Sequence, residues 1–368
     1  MAGSTLGVGI IGVNPVWGWA ATAHIPALRA LANYEIRALS ALSAESARAA
    51  GDAFGVSAVF SDHEELVARP DIDLVAVTVK VPHHRELVSA ALAAGKAVYC
   101  EWPLGRDLDD ARAMAALAAE QGVRTVVGLQ ARQAPAIEFV QELLGDGYVG
   151  EVLSTTMIGV SVPGDVVIQP NVYMLDKRNG ATMLTVAVGH SLDTLNYVLG
   201  EFAELSALSD IRRPLITAEE TREQIVKTAP DQIAVFGTLT SGATASIHIR
   251  EAVAGGTGFL WEINGTDGTL RITADAALPE IFPLSVAGAR GQSELAELAV
   301  PPALRQKWPA LAGLEGAPGY NVGRAYAAFA ADIDNGTQTV PDFADAVRRH
   351  EIIAAIERSA ASGERVKV

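Results

Sequence analysis

Val8-Gly9-Ile10-Ile11-Gly12-Val13-Asn14-Pro15-Val16-Trp17-Gly18-Trp19 is the stretch that decides the fold. Its first six residues form a short apolar run rich in β-branched side chains, the composition of a buried strand. A loop follows, then a helical pattern through Ile25, Leu28 and Leu31. A strand passing through such a loop into a helix opens a parallel α/β unit. It is also where backbone N–H groups at a helix N-terminus can hold a pyrophosphate. The usual glycine spacing there is G-x-G-x-x-G. Here Asn14 stands at the second glycine, and the third arrives late, at Gly18. Asn accepts left-handed backbone angles more readily than most residues, so the turn remains possible. A tight turn that binds nothing is the plainer alternative.

The residues that follow repeat the alternation. Segments 35–42, 59–60, 74–79, 97–100 and 125–129 read as strands, and 44–54, 83–94 and 108–121 as helices, with a further acidic helix start at Asp62-His63-Glu64-Glu65. This predicts a parallel sheet covered on both faces. A dinucleotide site commonly places Asp or Glu at the end of the second strand, on the ribose hydroxyls. That place reads Ser40-Ala41-Leu42-Ser43 and holds no acid. Nothing there repels a 2′-phosphate, so NADP is favoured, with NAD possible. Ser43 can donate to such a phosphate; it can equally cap the helix that follows.

With 368 residues, the chain is long for one core. We expect a dinucleotide-binding domain over 1–130, an α+β substrate and oligomerisation domain over 131–345, and a C-terminal helix and tail over 346–368 that pack back on the body. Hydrophobic residues make up 49% and the formal net charge is −15, which argues against disorder and against nucleic acid as a partner. Cys100 is the single cysteine, so no internal disulfide forms. No signal peptide and no long apolar span is legible, so a cytoplasmic protein without a membrane partner is expected. No H-x-x-x-H, C-x-x-C or H-E-x-x-H pair occurs, so no metal site is expected.

The second half changes rhythm. Segments 152–162, 231–240, 243–250, 259–263 and 269–272 alternate as antiparallel strands do, and Asn264-Gly265-Thr266-Asp267-Gly268 is a hairpin turn. We expect a large open, mostly antiparallel sheet with a helix over 191–199. An open sheet with an apolar exposed face favours a homodimer or homotetramer. The Pro- and Gly-containing stretch 279–319 reads as a long excursion without a legible role, although Trp308 could reach a neighbouring site.

Gly9-Ile10-Ile11-Gly12, Asp73-Leu74-Val75-Ala76-Val77, His84, Gly95-Lys96, Glu101-Trp102-Pro103-Leu104, Gly128-Leu129-Gln130-Ala131-Arg132 and Gly147-Tyr148-Val149-Gly150-Glu151-Val152 occur in one order. With Pro341-Asp342-Phe343 and a following amphipathic helix, they resemble the glucose–fructose oxidoreductase and inositol dehydrogenase family. Within it, Gly12 to Trp19, Glu101-Trp102 and Gly189-His190 look most like the branch of the fungal galactose-pathway repressor. The resemblance implies an N-terminal Rossmann-type sheet and a nicotinamide dinucleotide held by Gly12, Asn14, Trp17, Gly18, Trp19, Ser43, Lys80, Val81, His84, Glu101, Trp102, Pro103 and Gln130.

The resemblance also implies a lysine in E-K-P and an aspartate and histidine in G-G-x-x-x-D-x-G-x-H. This chain departs from both: Trp102 takes the lysine's place and Val186 the aspartate's, while His190 remains. An imidazole that titrates near neutrality suits a general acid or base. Lys80, at a strand end where ligands collect, and Lys177 and Tyr173, in the loop before Gly180, are candidates to replace the lost proton donor. Two classes of function stand side by side. One is an NAD(P)-dependent oxidoreductase moving hydride to or from a hydroxyl or carbonyl carbon of a sugar-like or cyclic small molecule. The other is a catalytically silent NADP-binding sensor. A third option, reduction of an imine or conjugated double bond, tolerates the missing lysine.

Overall fold

The structure is a computed structural model that describes residues 5–252 and 256–368. The chain divides into two compact units, one of residues 1–133 with 306–348 and one of 134–305 with 349–368. Residues 306–345, expected in the second domain, thus belong to the first unit.

In the first unit, strands β1 (Leu6–Ile11), β2 (Tyr34–Ser40), β3 (Val59–Phe60), β4 (Leu74–Val77), β5 (Ala97–Glu101) and β6 (Thr125–Gly128) form one parallel sheet in the order β3-β2-β1-β4-β5-β6. Strand order therefore reverses between β1 and β4, the place where open α/β sheets bind ligands beyond the strands' carboxyl ends. The helices Ala44–Phe54 and Leu108–Gln121 start and stop as the sequence predicts. Ser43 and Asp107 cap their first turns, and Gly55 and Gly122 end them in left-handed conformation. Strands β2 and β4 end two residues earlier than expected, at Ser40 and Val77. The late-arriving helix Gly319–Asn335 supplies Tyr320, Val322, Tyr326 and Phe329 to the same core as Ile10, Leu28, Leu74, Tyr99 and Val126. Trp308 packs against this core too.

The second unit adds β7 (Val152–Pro163), β8 (Val166–Val167), β9 (Phe202–Asp210), β10 (Leu215–Ala218), β11 (Gln224–Val226), β12 (Gln232–Leu239), β13 (Thr244–Ala252), β14 (Phe259–Gly265), β15 (Gly268–Ala274), β16 (Ser285–Arg290), β17 (Ala296–Glu297) and β18 (Val366–Lys367). Nine of them make one sheet, β17-β16-β15-β14-β7-β13-β12-β9-β18. It is mostly antiparallel, as expected, but β7 and β13 run parallel. One rung, Val235-Ile247-Met157-Trp261-Ile272-Val286, crosses six strands, and each of its side chains is buried. Period-2 alternation puts the next residues on the other face, where Leu208, Phe236 and His248 are exposed. A small sheet, β11-β10-β8, stands apart from the nine strands. The excursion 279–319 holds β16, β17 and the short helices Pro302–Arg305 and Pro309–Leu314. Among the described residues, no helix is long and apolar enough to cross a membrane.

Candidate functional site

The first unit gathers its candidate residues by register. Ile11 pairs with Val77, Val77 with Cys100, and Cys100 with Val127. The next residues out, Gly12, Thr78, Glu101 and Gly128, therefore share the carboxyl edge of the sheet. Gly12 has φ +98°, and a Cβ there would lie 2.5 Å from a Val79 methyl. Only glycine fits that turn without strain. Its N–H donates to the Ser40 carbonyl at 2.9 Å. Asn14 closes the loop with its side chain, Oδ1 accepting from the N–H groups of Val16 at 2.9 Å and Trp17 at 3.1 Å. It thus replaces a glycine by a side-chain turn. Gly18, φ +108°, faces open space. Trp17 is half exposed; Trp19 is partly buried and its Nε1 has no hydrogen-bond partner. The following helix begins with a π-turn, Ala20–His24, a distortion common at functional sites.

Beyond β5, the Glu101 carboxylate accepts from Gln130 Nε2 at 3.0 and 2.9 Å, and His24 Nε2 lies 2.8 Å from its Oε1. His24 Nδ1 lies 2.7 Å from the Tyr326 hydroxyl. A buried Tyr–His–Glu chain therefore fixes the carboxylate. Sequence reading had identified Glu101 and Gln130 but not His24 or Tyr326, which the fold brings from either side of the unit. Trp102 is buried and Lys80 exposed. Val81 is buried, and so is His84. The His84 Nε2 lies 3.0 Å from the Val79 carbonyl and its Nδ1 3.0 Å from that of Pro103. Burial lowers its pKa, against the pull of these carbonyls. Ser43 accepts from the Ser46 N–H at 3.1 Å, the helix-cap role. The loop fits a pyrophosphate: the backbone passes closely at Gly12, and space is open at Gly18.

In the second unit, Leu184–Val188 is again a π-turn, running into the helix Gly189–Leu199. Val186 lies on the turn and His190 on the helix. His190 is 5% exposed, its Nδ1 has no hydrogen-bond partner, and its Nε2 is 3.6 Å from Glu280 Oε1. That separation is too long for a hydrogen bond. Burial pushes the imidazole down to about 3, which corrects the expectation that it titrates near neutrality. Asp193, three residues beyond His190 on the same helix, pairs with Arg349 at 3.6 Å. The linkage has a definite sign. The unfolded chain protonates His190 near its ordinary 6.5 and the folded chain only near 3. Stability is thus fully present above about pH 6.5 and is lost as pH falls through 3. Urea melts between pH 7 and 4 should show a steeper loss for the wild type than for His190→Gln. Parallel slopes would remove His190 from the acid response.

Beside this segment lies a cavity of about 670 Å³. Val166, Val167, Ile168, Met174, Leu175, Met183, Val186, Ala187, Ile216, Leu278 and Ile281 give it apolar walls, with Ser161, Asn171, Glu219, Arg222, Glu251 and Glu280 as the polar side chains. Tyr173 and Lys177 are not wall residues. Lys177 is exposed, and Tyr173 is partly buried with its pKa raised by burial. The Glu251 carboxyl is raised by burial, against Lys227, whose Nζ is 2.6 Å away. Lys227 also lies 3.1 Å from Asp231 and is itself buried. Sequence reading missed Lys227, Glu251 and Glu280. Among the described residues, no group of three or more His, Cys, Asp or Glu could hold a metal ion.

Both halves of the chain are similar to known proteins. Residues 6–129 match the oxidoreductase family model with the NAD-binding Rossmann fold, and 135–274 match that of the Gal80p C-terminal domain. Dehydrogenase aclE of Aspergillus oryzae is 32% identical over 342 residues, covering 90% of this chain and 88% of its own. The crystal structure of a Gal80p super-repressor mutant from Saccharomyces cerevisiae superposes with TM-score 0.86 at 24% identity, over 99% of this chain and 98% of its own. Levoglucosan dehydrogenase, in complex with NADH and levoglucosan, superposes with TM-score 0.82 at 23% identity, over 99% of both chains. The two structures establish the fold alone. Both halves and the aclE relationship agree: the chain belongs to the glucose–fructose oxidoreductase and inositol dehydrogenase family of NAD-binding Rossmann-fold proteins.

Proposed function

We propose that this protein is an NAD(P)-dependent oxidoreductase acting on a cyclic or sugar-like small molecule, with NADP preferred. The supporting observation is the carboxyl edge of the first sheet, which carries Gly12 at the reversal of strand order and, further along the same edge, Glu101 bonded to Gln130. A nicotinamide dinucleotide bound there would supply or accept hydride. Gly12 lets the backbone approach the pyrophosphate, and Asn14 holds the loop shut. Glu101, fixed by Gln130 and His24, sets the path of the chain into Trp102. Trp102 offers a flat apolar wall and cannot exchange a proton at neutral pH. Lys80, exposed beyond β4, is the candidate for that exchange. His190, neutral through burial, orients by hydrogen bonding rather than by titration.

The NADP preference follows from the acid-free end of β2, where Ser40 is buried and Leu42 is 99% exposed. Calorimetric titration should give severalfold tighter binding of NADPH than NADH. The reverse order would sink the preference, and binding of neither would sink the oxidoreductase reading.

The second reading is a dinucleotide sensor without turnover. Two replacements favour it: Trp102 at the lysine's place and Val186 at the aspartate's. Tight NADPH binding with no turnover on sugars, polyols, ketones and imines would support it.

A further inference from the structure

The cavity of the second unit, about 670 Å³ in volume, has room for a ligand of more than one ring. Met183, Val186, Ile216 and Leu278 typify its apolar walls. Of its polar wall residues, Asn171, Glu219 and Arg222 are exposed. Ser161 and Glu251 lie deeper: Ser161 is buried, and the Glu251 side chain is 14% exposed. They follow the paired residues Val160 and Arg250 on the parallel strands β7 and β13. Gly164 makes room for the glutamate, since a Cβ there would lie 2.8 Å from Glu251 Oε2.

A relay of charges holds Glu251 in place. Its Oε2 accepts from Lys227 Nζ at 2.6 Å, and the same ammonium lies 3.1 Å from Asp231. Asp231 in turn accepts from the N–H groups of Arg212 and Arg213, at 2.9 Å each. Lys227 and Asp231 are both buried. Among the described residues, no other group bonds the Glu251 carboxylate. Its Oε1 therefore keeps its accepting capacity. The ammonium already balances the charge, so Oε1 offers an acceptor rather than a counter-charge. A hydroxyl reaching it would make one charge-assisted hydrogen bond. Further hydroxyls set against Met183 or Leu278 would lose their water and find no partner. An anion would meet the like charge of the carboxylate itself.

We propose that this cavity binds a neutral, largely apolar ring compound carrying one hydroxyl, which donates its hydrogen bond to Glu251 Oε1. Lys227 and Asp231 are positioning residues for that carboxylate. Such binding belongs to the second unit alone and needs no dinucleotide, so it is separate from the oxidoreductase reading above.

The test uses the full chain without dinucleotide and three probes: 2-naphthol, its methyl ether 2-methoxynaphthalene, and myo-inositol. The ether keeps the rings and the oxygen but cannot donate. In fluorescence and calorimetric titrations, naphthol should bind roughly tenfold tighter than the ether, or more, with no detectable binding of inositol. Glu251→Gln should erase that preference. Its carbonyl would turn to the Lys227 ammonium, which only donates, and leave an NH₂ facing the cavity. Alcohol and ether oxygens accept from an NH₂ alike. Val186→Trp, which fills the cavity from its wall, should weaken both aromatic probes and so locate their binding. The comparison of probes on the wild type needs no variant, so it stands even if Glu251→Gln fails to fold. Equal affinity for naphthol and its ether, inositol that displaces naphthol, or aromatic binding untouched by Val186→Trp would overturn the proposal. Failure of these titrations leaves NADPH binding and turnover to be judged on their own, and absence of turnover leaves these titrations standing.

Discussion

Lys227→Met is expected to destabilise the protein by roughly 3–5 kcal/mol, the usual consequence of removing one member of a buried ion cluster. The side chain of Lys227 is 1% exposed and its Nζ lies 2.6 Å from Glu251 and 3.1 Å from Asp231. Asp231 retains its bonds from the N–H groups of Arg212 and Arg213, so most of the loss falls on Glu251. Burial already raises the Glu251 carboxyl, and Lys227 opposes that rise. Without the ammonium, the folded form holds its proton to still higher pH while the unfolded chain releases it near the ordinary value. The variant's stability should therefore fall as pH rises, the opposite sign to the acid loss from His190. Urea melts at pH 5 and pH 8 should show the gap between variant and wild type widening at the higher pH. A gap of less than about 1 kcal/mol at both would mean that the cluster is solvated.

His24→Leu is the second large effect, expected at roughly 2–4 kcal/mol, since each buried polar group left unpaired costs about 1–3. His24 and Tyr326 are both 0% exposed. Removing the imidazole strands the Tyr326 hydroxyl inside the core, while Glu101 keeps its bonds to Gln130. Tyr326→Phe in the same background should recover part of the loss, because the stranded group goes with it. Additive losses in this double-mutant cycle, read by chemical denaturation, would show that the two residues do not act as one chain.

The first sheet was legible in the sequence because its information is local. Ser43 caps a helix, Gly55 and Gly122 end helices, and β-branched runs end at glycines; each of these acts within a few residues. The same holds for Gly12, whose φ +98° a glycine announces. What was not legible depends on partners distant in sequence. Nothing near β7 says that its neighbour β13 will run parallel to it. Glu280 sits in a stretch whose Pro and Gly content suggests only a loop, and it becomes a wall residue because folding gathers it with Val186 and Ile216 around one cavity. His24 shows no pattern distinguishing it from a surface histidine until Tyr326 and Glu101 close on it. His190 was found by resemblance, but its loss of basicity is a property of the burial around it, which no motif encodes.

The return of residues 306–348 to the first unit has a temporal meaning. During synthesis, the six strands of the parallel sheet emerge long before the helix Gly319–Asn335 that completes their core. About 170 residues, the bulk of the second unit, are made in between, which at roughly 5–20 residues per second occupies on the order of 10–30 s. For that interval the nascent sheet lacks Tyr320, Tyr326 and Phe329, and the partner that His24 requires does not yet exist. The ribosome therefore carries an open apolar surface through the making of a whole second unit. The N-terminal half of this chain is the part with most to gain from a chaperone.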